Sequence, residues 1–322
     1  MKFKNYLLFI LITLLSVITF TGSKAVFAST SSPTTISPLY LANAEFSLDI
    51  ADVSFFDINN DYIVFASTTS TKLTILDRKN KNISYLSLEV EVSYVKLTRN
   101  YLFVVVNNEA LRPLKVFSLE SGNEVFLTNN DEAMQLQDYT DISIIETSLQ
   151  AENCVIVATI RENEFSYYYF NDNLACIKFS NLTNDKFNNL ALSYVALSYD
   201  RISASNLAYV VAGDKIFKVA LDNGFYIASP TRFYPDNTFV SLIVAQNQQA
   251  SELVDYIVAV SLEDRTIKVV KTNTDIYAPS DDSETTWSKG PEAVGVSFKK
   301  GVVNHPCDAK FFNGKIYVSD RG

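Results

Sequence analysis

Few residues of this 322-residue chain have the types and spacing that chemistry requires. His305 is the only histidine, so a catalytic triad or an imidazole metal site would have to be built around it. No Gly-x-Ser-x-Gly turn, phosphate-binding glycine loop or His-Glu-x-x-His motif occurs. The sequence therefore favours a binding protein over an enzyme. His305, a loop residue directly before Pro306, is kept as a candidate binding residue.

The densest aromatic run is Tyr-Tyr-Tyr-Phe at residues 167–170. Exposed tyrosine rings can stack on sugars or peptides. Large rings also fill the space between packed sheets, and alternation along a strand lets only some of the four face a core. We therefore take Tyr168 as a candidate binding residue within a run that mainly packs the fold.

The three cysteines, Cys154, Cys176 and Cys307, are too few and too scattered for a disulfide scaffold or a recognisable zinc site. Each lies among apolar or strand-like residues, which is typical of a small buried side chain. A bridge between Cys154 and Cys176 is the alternative, and the sequence does not decide between the two.

Residues 1–28 have the order of a cleavable secretory signal. Two lysines precede a fifteen-residue apolar run at residues 6–20, and small residues lead to Ala28. The alternative is a membrane anchor, but the run is shorter than the roughly 20 apolar residues that span a bilayer. We predict cleavage between Ala28 and Ser29, a secreted or cell-surface mature chain, and no stable membrane span after cleavage.

The mature chain is acidic. The predicted signal carries three lysines and no acid, so its removal changes the formal net charge from −9 to −12. Phosphate backbones repel an acidic surface, which argues against nucleic acid as a partner. Basic partners and divalent cations remain compatible with this charge.

The composition changes near residue 45. Residues 29–44 are rich in Ser, Thr and Pro, which predicts a flexible linker. From residue 45 onward, short β-branched and aromatic runs alternate with Asn, Asp, Gly and Ser, a pattern typical of strands and turns. The most apolar strand recurs six times, at residues 62–67, 101–106, 154–159, 207–212, 256–261 and 316–319.

A second, more alternating run follows each of the first five copies, which indicates a strand with one buried face. These runs are residues 73–77, 114–118, 175–180, 215–220 and 266–271. A short strand upstream and a weaker one downstream complete each unit. The repeat is therefore a four-stranded meander.

The repeat period favours a β-propeller. Four-stranded antiparallel units that recur roughly every 40 to 60 residues match propeller blades. Tandem β-sandwiches are the alternative, but each would need about 100 residues. We predict an all-β chain in which residues 45–322 form a propeller of six or more blades, five complete and half of a sixth. Either residues 37–46 close the last blade or the chain is a fragment of a longer product, which we favour.

Residues 306–322 resemble the repeat core of NHL-type propellers. In that repeat a proline opens the blade, a glycine turn follows, and an Ile-Tyr-Val strand ends in Ser-Asp-x-Gly. The matching residues here are Pro306, Gly314, Ile316, Tyr317, Val318, Asp320 and Gly322. The resemblance implies a propeller. NHL-type propellers mostly act as binding platforms, whereas their gluconolactonase-like relatives are metal-dependent lactone hydrolases.

A lactonase site of that kind would need acidic and amide ligands that converge on the central channel. Such oxygen ligands suit calcium, and Asp308 and Asp320 lie in the unit that matches best. Strand-end aspartates are more often turn formers that bond their own backbone, and this holds equally for Asp57, Asp61, Asp77 and Asp264. We keep Asp308 and Asp320 as candidate binding residues and expect no resident cofactor, with calcium as the alternative.

The whole pattern predicts a secreted or cell-surface, non-enzymatic β-propeller that binds an extracellular protein, peptide or glycan through loops at one end of the blades. Its candidate binding residues are His305, Asp308, Asp320 and Tyr168. One alternative is a divalent-metal-dependent, lactonase-like hydrolase, which three or more converging carboxylate or amide oxygens would favour. The other alternative is a structural segment of a larger surface protein.

Overall fold

The computed structural model describes residues 19–20, 23–29, 38–39, 53–67, 69–107, 112–149, 152–200, 204–222, 226–227, 231–232, 239–249, 252–261, 266–271, 284–289 and 306–320. Residues 1–18 and His305 lie outside these segments. Within them, no helix has both the length and the apolar character needed to cross a membrane.

The described segments form β-strands and one short 3-10 helix, Asn184–Phe187. The strands before the first repeat are β1 (Thr19–Phe20), β2 (Ser23–Ser29) and β3 (Pro38–Leu39). Sheet 1 contains β4 (Val53–Ile58), β5 (Tyr62–Ser67), β6 (Lys72–Asp77) and β7 (Ile83–Ser87). Sheet 2 contains β8 (Val92–Leu97), β9 (Tyr101–Val106), β10 (Leu114–Ser118) and β11 (Glu124–Val125). A small hairpin follows, made of β12 (Leu127–Asn129) and β13 (Glu132–Met134).

The remaining strands continue the same arrangement. Sheet 3 contains β14 (Asp141–Leu149), β15 (Glu152–Arg161), β16 (Glu164–Phe170) and β17 (Cys176–Thr183). Sheet 4 contains β18 (Leu192–Asp200), β19 (Ser205–Ala212), β20 (Lys215–Ala220), β21 (Tyr226–Ile227) and β22 (Thr231–Arg232). Sheet 5 contains β23 (Phe239–Gln249), β24 (Glu252–Ser261), β25 (Thr266–Lys271) and β26 (Glu284–Lys289). Sheet 6 contains β27 (Pro306–Phe312) and β28 (Lys315–Asp320), together with β1, β2 and β3.

Antiparallel meanders make up sheets 1 to 5, as the repeat predicts. Between β27 and β28, Asn313 and Gly314 have φ angles of 48° and 73°, the left-handed pair that a two-residue hairpin requires. Asn-Gly is the residue pair that such a hairpin favours most.

Sheet 3 differs from the predicted strand order. We predicted residues 175–180 as the partner of the apolar strand, but β16 pairs with β15 and β17 is outermost. Glu162 and Asn163 adopt positive φ angles of 46° and 69°, which turns the chain directly back onto β15. The tyrosine run therefore lies in the middle of a sheet.

The second strand of each sheet is apolar on both faces because each face packs against a different neighbouring sheet. In sheet 1, Val64 and Ala66 pack with sheet 2, whereas Ile63 and Phe65 share a core with Tyr317 of sheet 6. Among the described residues, six such cores lie between consecutive sheets. The core with Tyr317 joins the last sheet to the first.

The first strands of the sheets surround a central cavity. Close contacts join β4 to β8, β14 to β18, β18 to β23, β23 to β27, and β27 back to β4. Only β8 and β14, among these described neighbours, stay further apart. The sheets are therefore arranged as in a β-propeller. This arrangement excludes tandem β-sandwiches, in which sheets would pair face to face as separate domains.

Sheet 6 contains more strands than the half blade that the sequence predicted. Strand β2 pairs along β28, with Lys24 opposite Asp320 and Ser29 opposite Lys315. Of the described residues within 37–46, β3 pairs with β2 and not with β28. Because β2 includes Ala28 and Ser29, this pairing spans the predicted cleavage point.

Side chains on the first strands hold neighbouring sheets together. A first strand pairs with only one strand of its own sheet, so the N–H groups on its other edge need acceptors. Aspartate and serine side chains of the preceding sheet accept from them. The acceptor and donor residues are Asp57 and Leu97 (2.6 Å), Asp141 and Val195 (2.7 Å), Ser143 and Leu197 (3.1 Å), and Ser241 and Ala309 (3.3 Å).

Asp308 continues this pattern from the last sheet to the first. Its Oδ2 accepts from the Phe56 N–H at 3.3 Å. Its Oδ1 accepts from the Ala309 N–H and the Ser241 hydroxyl, both at 2.8 Å, and from Lys310 Nζ at 3.0 Å. Burial raises the pKa of the Asp308 carboxyl, while the charge of Lys310 opposes that rise. Asp308 therefore has a structural role in closing the ring.

We predict that Asp308→Ala lowers the free energy of unfolding by about 3 to 5 kcal/mol, because Lys310 would be left as an unpaired buried charge and the Phe56 N–H would lose its acceptor. Urea unfolding followed by circular dichroism measures the loss. Asp61→Ala is the matched control: Asp61 pairs with Lys79 at 2.7 Å but is 42% exposed. Its loss should stay below about 1 kcal/mol.

A loss as small as the control would show that Asp308 does not close the ring. Repeating both measurements with calcium tests the metal alternative, because only a ligand that prefers the folded state raises stability. We expect no calcium effect. A calcium-dependent stabilisation that Asp308→Ala abolishes would identify Asp308 as a calcium ligand.

Candidate functional site

The central cavity encloses about 450 Å³ and is lined by the first strands of all six sheets. Its volume falls in the range of small-molecule sites. Five of the six first strands, all except β14, contain a register shift beside their first residues. Such bulges twist a strand and re-aim its side chains. The shared bulge places side chains of equivalent positions at the same level of the cavity.

These side chains form two layers. The first layer consists of Phe55, Tyr94, Asp141, Tyr194, Ser241 and Asp308. The second layer lies two residues further along each strand. Its lining residues are Lys96, Ser143, Ala196, Ile243 and Lys310, and Asp57 lies behind Lys96 at the equivalent position of β4. Two ion pairs neutralise part of the charge, Lys96 with Asp57 at 3.2 Å and Lys310 with Asp308 at 3.0 Å. The cavity thus combines aromatic rings with both signs of charge.

Asp141 differs from the other cavity aspartates because no described cation lies within 4.0 Å of its carboxylate. Burial raises the pKa of Asp141 to about 7. The N–H groups of Val195 and Ile142 and the charge of Arg112 oppose this rise without cancelling it. Asp141 therefore changes its charge near neutral pH.

The gap between β8 and β14 is bridged by longer side chains. Arg112 donates across it to the carbonyls of Tyr139 at 3.5 Å and Thr140 at 3.4 Å. Burial raises the pKa of Tyr94, nearby carboxylates raise it further, and a hydrogen bond with the Ile144 backbone opposes the rise. Arg112 and Asp141 both line the cavity beside this gap.

A second surface lies on the outer strand of sheet 3. Tyr168 stacks on Phe179 with ring centroids 4.7 Å apart and on Phe170 at 6.2 Å. Phe179 is 52% exposed and Ile177 is 47% exposed, while Tyr168 is half-buried. Residues 167 and 169 point to the opposite face and are buried in the core with sheet 4. Alternation therefore leaves Tyr168 as the tyrosine of the run nearest this exposed surface.

The structure does not bring the predicted site residues together. His305 lies outside the described residues, Asp308 is in the cavity wall, and Asp320 is buried on β28. Tyr168 is on another sheet. Within the described segments, no group of three or more His, Cys, Asp or Glu side chains is placed to hold a metal ion.

The strand-end aspartates differ in role. Asp77 forms a turn, as expected: its Oδ1 accepts from the N–H groups of Lys79 at 2.7 Å and Asn80 at 2.9 Å. Asp57 is instead buried and bonds across sheets. All three cysteines are free thiols in the structure, so no bridge joins Cys154 to Cys176.

Sequence reasoning missed Arg112, Asp141, Lys96 and Lys310. An alignment of the first strands of the units would have found Lys96 and Lys310, because both share the fifth position of their strands with Asp57. Asp141 is the first residue of β14 and does not hold that position. Arg112 precedes β10, and no such periodicity marks it.

We predict that Asp141→Asn raises stability and that the gain is larger at pH 8 than at pH 5. Between its ordinary pKa of 3.8 and about 7, the folded protein holds a proton that the unfolded chain releases, so the stability of the wild type falls progressively over this range and is lowest above pH 7. Each pKa unit of difference is worth about 1.4 kcal/mol. The amide oxygen of asparagine keeps the acceptor for the Val195 N–H without the charge. Thermal unfolding from pH 5 to pH 8 measures the change.

Asp138→Asn is the matched control, since Asp138 pairs with Arg161 at 2.8 Å on the surface. Its effect should be small and should not grow between pH 5 and pH 8. A variant Asp141→Asn that is less stable than the wild type at pH 8 would contradict the raised pKa.

No family model and no curated protein matches this sequence. Solved structures are similar to it in fold. KlHsv2 with loop 6CD replaced by a Gly-Ser linker is 12% identical, with 93% of this chain and 87% of that chain covered and a TM-score of 0.50. The N-terminal domain of Nup159 is 12% identical, with 94% and 85% covered and a TM-score of 0.50. BamB from Moraxella catarrhalis is 9% identical, with 95% and 93% covered and a TM-score of 0.46. Likeness at this identity concerns the fold and leaves the function open.

Proposed function

We propose that this chain is an exported, non-enzymatic propeller with six NHL-type blades, one for each of sheets 1 to 6, that binds an extended segment of a partner protein. The observation that carries the proposal is the outer strand of sheet 3, where exposed Phe179 stacks on Tyr168 beside exposed Ile177. Aromatic anchors surrounded by apolar surface are typical centres of protein interfaces. The loops at one end of the blades, favoured from the sequence alone, lack a comparable feature in the described residues.

Strand β17 is suited to the addition of another strand. It is the outermost strand of sheet 3, and within the described residues only β16 pairs along it. The β12 strand approaches only its beginning, where Thr128 forms a bridge with Ala175. Its side chains alternate, with residues 177, 179, 181 and 183 exposed. An added strand would form main-chain hydrogen bonds with the free edge, and its apolar side chains would cover Ile177 and Phe179.

The chemistry of β17 favours an apolar partner segment with basic flanks. The four exposed side chains are uncharged: Ile177, Phe179, Asn181 and Thr183. Lys178 is the one cation of the strand, and it donates to the Leu221 carbonyl at 2.7 Å. The formal net charge of the chain, −9, attracts basic flanking residues.

Sheet 1 provides an internal comparison. Its outer strand β7 exposes Ile83 (40%) and Tyr85 (58%) in the same kind of position. There, however, the Lys72 ammonium lies 3.5 Å from the centroid of the Tyr85 ring and covers one face of it. On sheet 3 the exposed Phe179 ring instead stacks on Tyr168, so β17 presents an uncharged aromatic surface to a partner.

We predict that peptides of alternating apolar residues with lysine at both ends bind this chain and that replacing Ile177 and Phe179 together by serine weakens binding about tenfold, the effect of removing an aromatic anchor. Fluorescence anisotropy with a labelled peptide array measures the affinity. The double replacement of Ile83 and Tyr85 by serine is the control, and its affinity should stay unchanged.

Equal weakening in both double variants, or in neither, would contradict the site. Binding to a glycan array without binding to any peptide would show that the rings recognise sugars instead. Light scattering that shows a dimer which Phe179→Ser dissociates would assign the strand to a second copy of the chain.

Export is part of the proposal and is supported by residues 1–28 of the sequence. We predict that mass analysis of exported material finds a new amino terminus at Ser29. Cleavage there removes most of β2, so the mature chain should have a free edge at β28 that favours self-association. Retention of residues 1–28 in a membrane fraction would contradict the prediction and would keep β2 paired with β28.

A further inference from the structure

Arg112 lines the central cavity as a guanidinium group without a close counterion. Its three hydrogen bonds go to the carbonyls of Tyr139 and Thr140 and to the Ser93 hydroxyl, at 3.4 to 3.5 Å. Charge-assisted hydrogen bonds are normally about 2.7–2.9 Å long. No described carboxylate lies within 4.0 Å of it. The guanidinium therefore retains much of its capacity to bind an anion.

Asp141 is an anion that, like the Arg112 cation, has no close counterion. Its Oδ2 accepts from the Val195 N–H at 2.7 Å, and no described cation pairs with the carboxylate. The fold needs an acceptor at this position but not a charge, because Ser241 at the equivalent position of β23 accepts from the Ala309 N–H with a neutral hydroxyl. An uncompensated charge away from bulk water is costly. A carboxylate here thus points to a use beyond joining sheets.

The surroundings of Asp141 suit an ammonium group. Tyr94 on β8 and Tyr194 on β18 flank it in the same layer of the cavity, and both line the open space. The face of an aromatic ring attracts a cation, and the attraction is stronger where water is excluded. Both rings therefore share the layer of Asp141, and Lys310 Nζ, which lies 5.2 Å from the centroid of the Tyr94 ring, shows that this ring accepts a cation.

We propose that the cavity binds a small zwitterion, a free amino acid, with its ammonium group on Asp141 between Tyr94 and Tyr194 and its carboxylate on Arg112. A planar guanidinium binds a carboxylate through two parallel hydrogen bonds. A cavity of about 450 Å³ has room for such a molecule.

The charge balance of the cavity selects a zwitterion over a simple ion. The other two lysines that line it are already paired, Lys96 with Asp57 and Lys310 with Asp308. Glu146, which also lines the cavity, pairs with Arg99 at 3.8 Å. Among the described lining residues, Arg112 and Asp141 therefore remain, and no ion pair within 4.0 Å joins them. A simple cation bound at Asp141 would be repelled by Arg112, and a simple anion bound at Arg112 would be repelled by Asp141. A molecule that carries both charges satisfies both groups.

Titration calorimetry of the full chain tests the proposal with glycine, 4-aminobutyrate and 6-aminohexanoate, which differ in the distance between their charges. Acetate and propylamine, each with one of the two charges, are the control ligands. We expect at least one zwitterion to bind and both control ligands to bind about tenfold more weakly or not at all, since each lacks one charged hydrogen-bonding group. No binding by any of the three zwitterions, or equal binding of acetate or propylamine, would overturn the proposal.

Variants locate the site. Arg112→Gln and Asp141→Asn should each weaken binding about tenfold. Arg161→Gln and Asp138→Asn change the same residue types in a surface pair and should leave the affinity unchanged. Thermal unfolding of each variant distinguishes loss of binding from loss of fold. Folded cavity variants with unchanged affinity would place the ligand elsewhere and refute the proposal.

A pH series gives an independent readout, because Asp141 binds an ammonium group only when it is ionised. Burial raises the pKa of Asp141 to about 7, so affinity should rise between pH 6 and pH 8. The other charged or titratable groups that face the cavity around it are Arg112, Lys96, Lys310, Asp57, Asp308, Glu146, Tyr94 and Tyr194. An affinity that is independent of pH over this range would show that Asp141 does not hold the ammonium group.

Discussion

The unpaired inner edge of each first strand is the constraint on which the rest of the structure depends. Around a central cavity, each of these edges faces the next sheet at an angle that does not allow continuous strand pairing, so its N–H groups would be left without acceptors. Aspartate and serine side chains of the preceding sheet supply those acceptors, and Asp308 supplies the one that joins sheet 6 to sheet 1. Closure of the ring of sheets therefore depends on these side-chain hydrogen bonds as well as on hydrophobic packing.

Between sheets 2 and 3, the side-chain acceptors that join the other neighbouring sheets are missing from β8. The equivalent residues on β8 are Tyr94 and Lys96, neither of which is a short acceptor, and the backbones of β8 and β14 stay further apart than the other described neighbours. Longer groups then span the distance, with Arg112 reaching the carbonyls of residues 139 and 140. A wider gap leaves room for polar groups that the closer contacts would exclude. Arg112 and Asp141 both line the cavity beside this wider gap.

The sequence predicted the strands of this fold better than its site. Strands buried on both faces, such as β5 and β9, stand out because burial demands an unbroken apolar run, and a turn such as Asn313–Gly314 has its own local signature. In sheet 3 the tyrosine run β16 was missed because its pattern resembles a packing cluster, and pairing depends on the turn at residues 162 and 163. Arg112 and Asp141 belong to different sheets and meet only at the cavity. A local sequence pattern does not predict which residues of different sheets come together around the central cavity.

The three aspartates of the cavity show how a fold separates structural charge from available charge. Asp57 and Asp308 each have a lysine within 3.2 Å, and their carboxylates also accept backbone hydrogen bonds. Removing either carboxylate would therefore leave its lysine without a counterion. Asp141 accepts the equivalent bond, yet Ser241 shows that a hydroxyl suffices for it. Burial without a counterion raises the pKa of Asp141, which means that its ionised form destabilises the folded chain near neutral pH. A ligand cation would remove that penalty, so stability and binding are coupled at this one carboxyl group. The same coupling explains why Asp141→Asn should raise the free energy of unfolding and lower the affinity for the ligand.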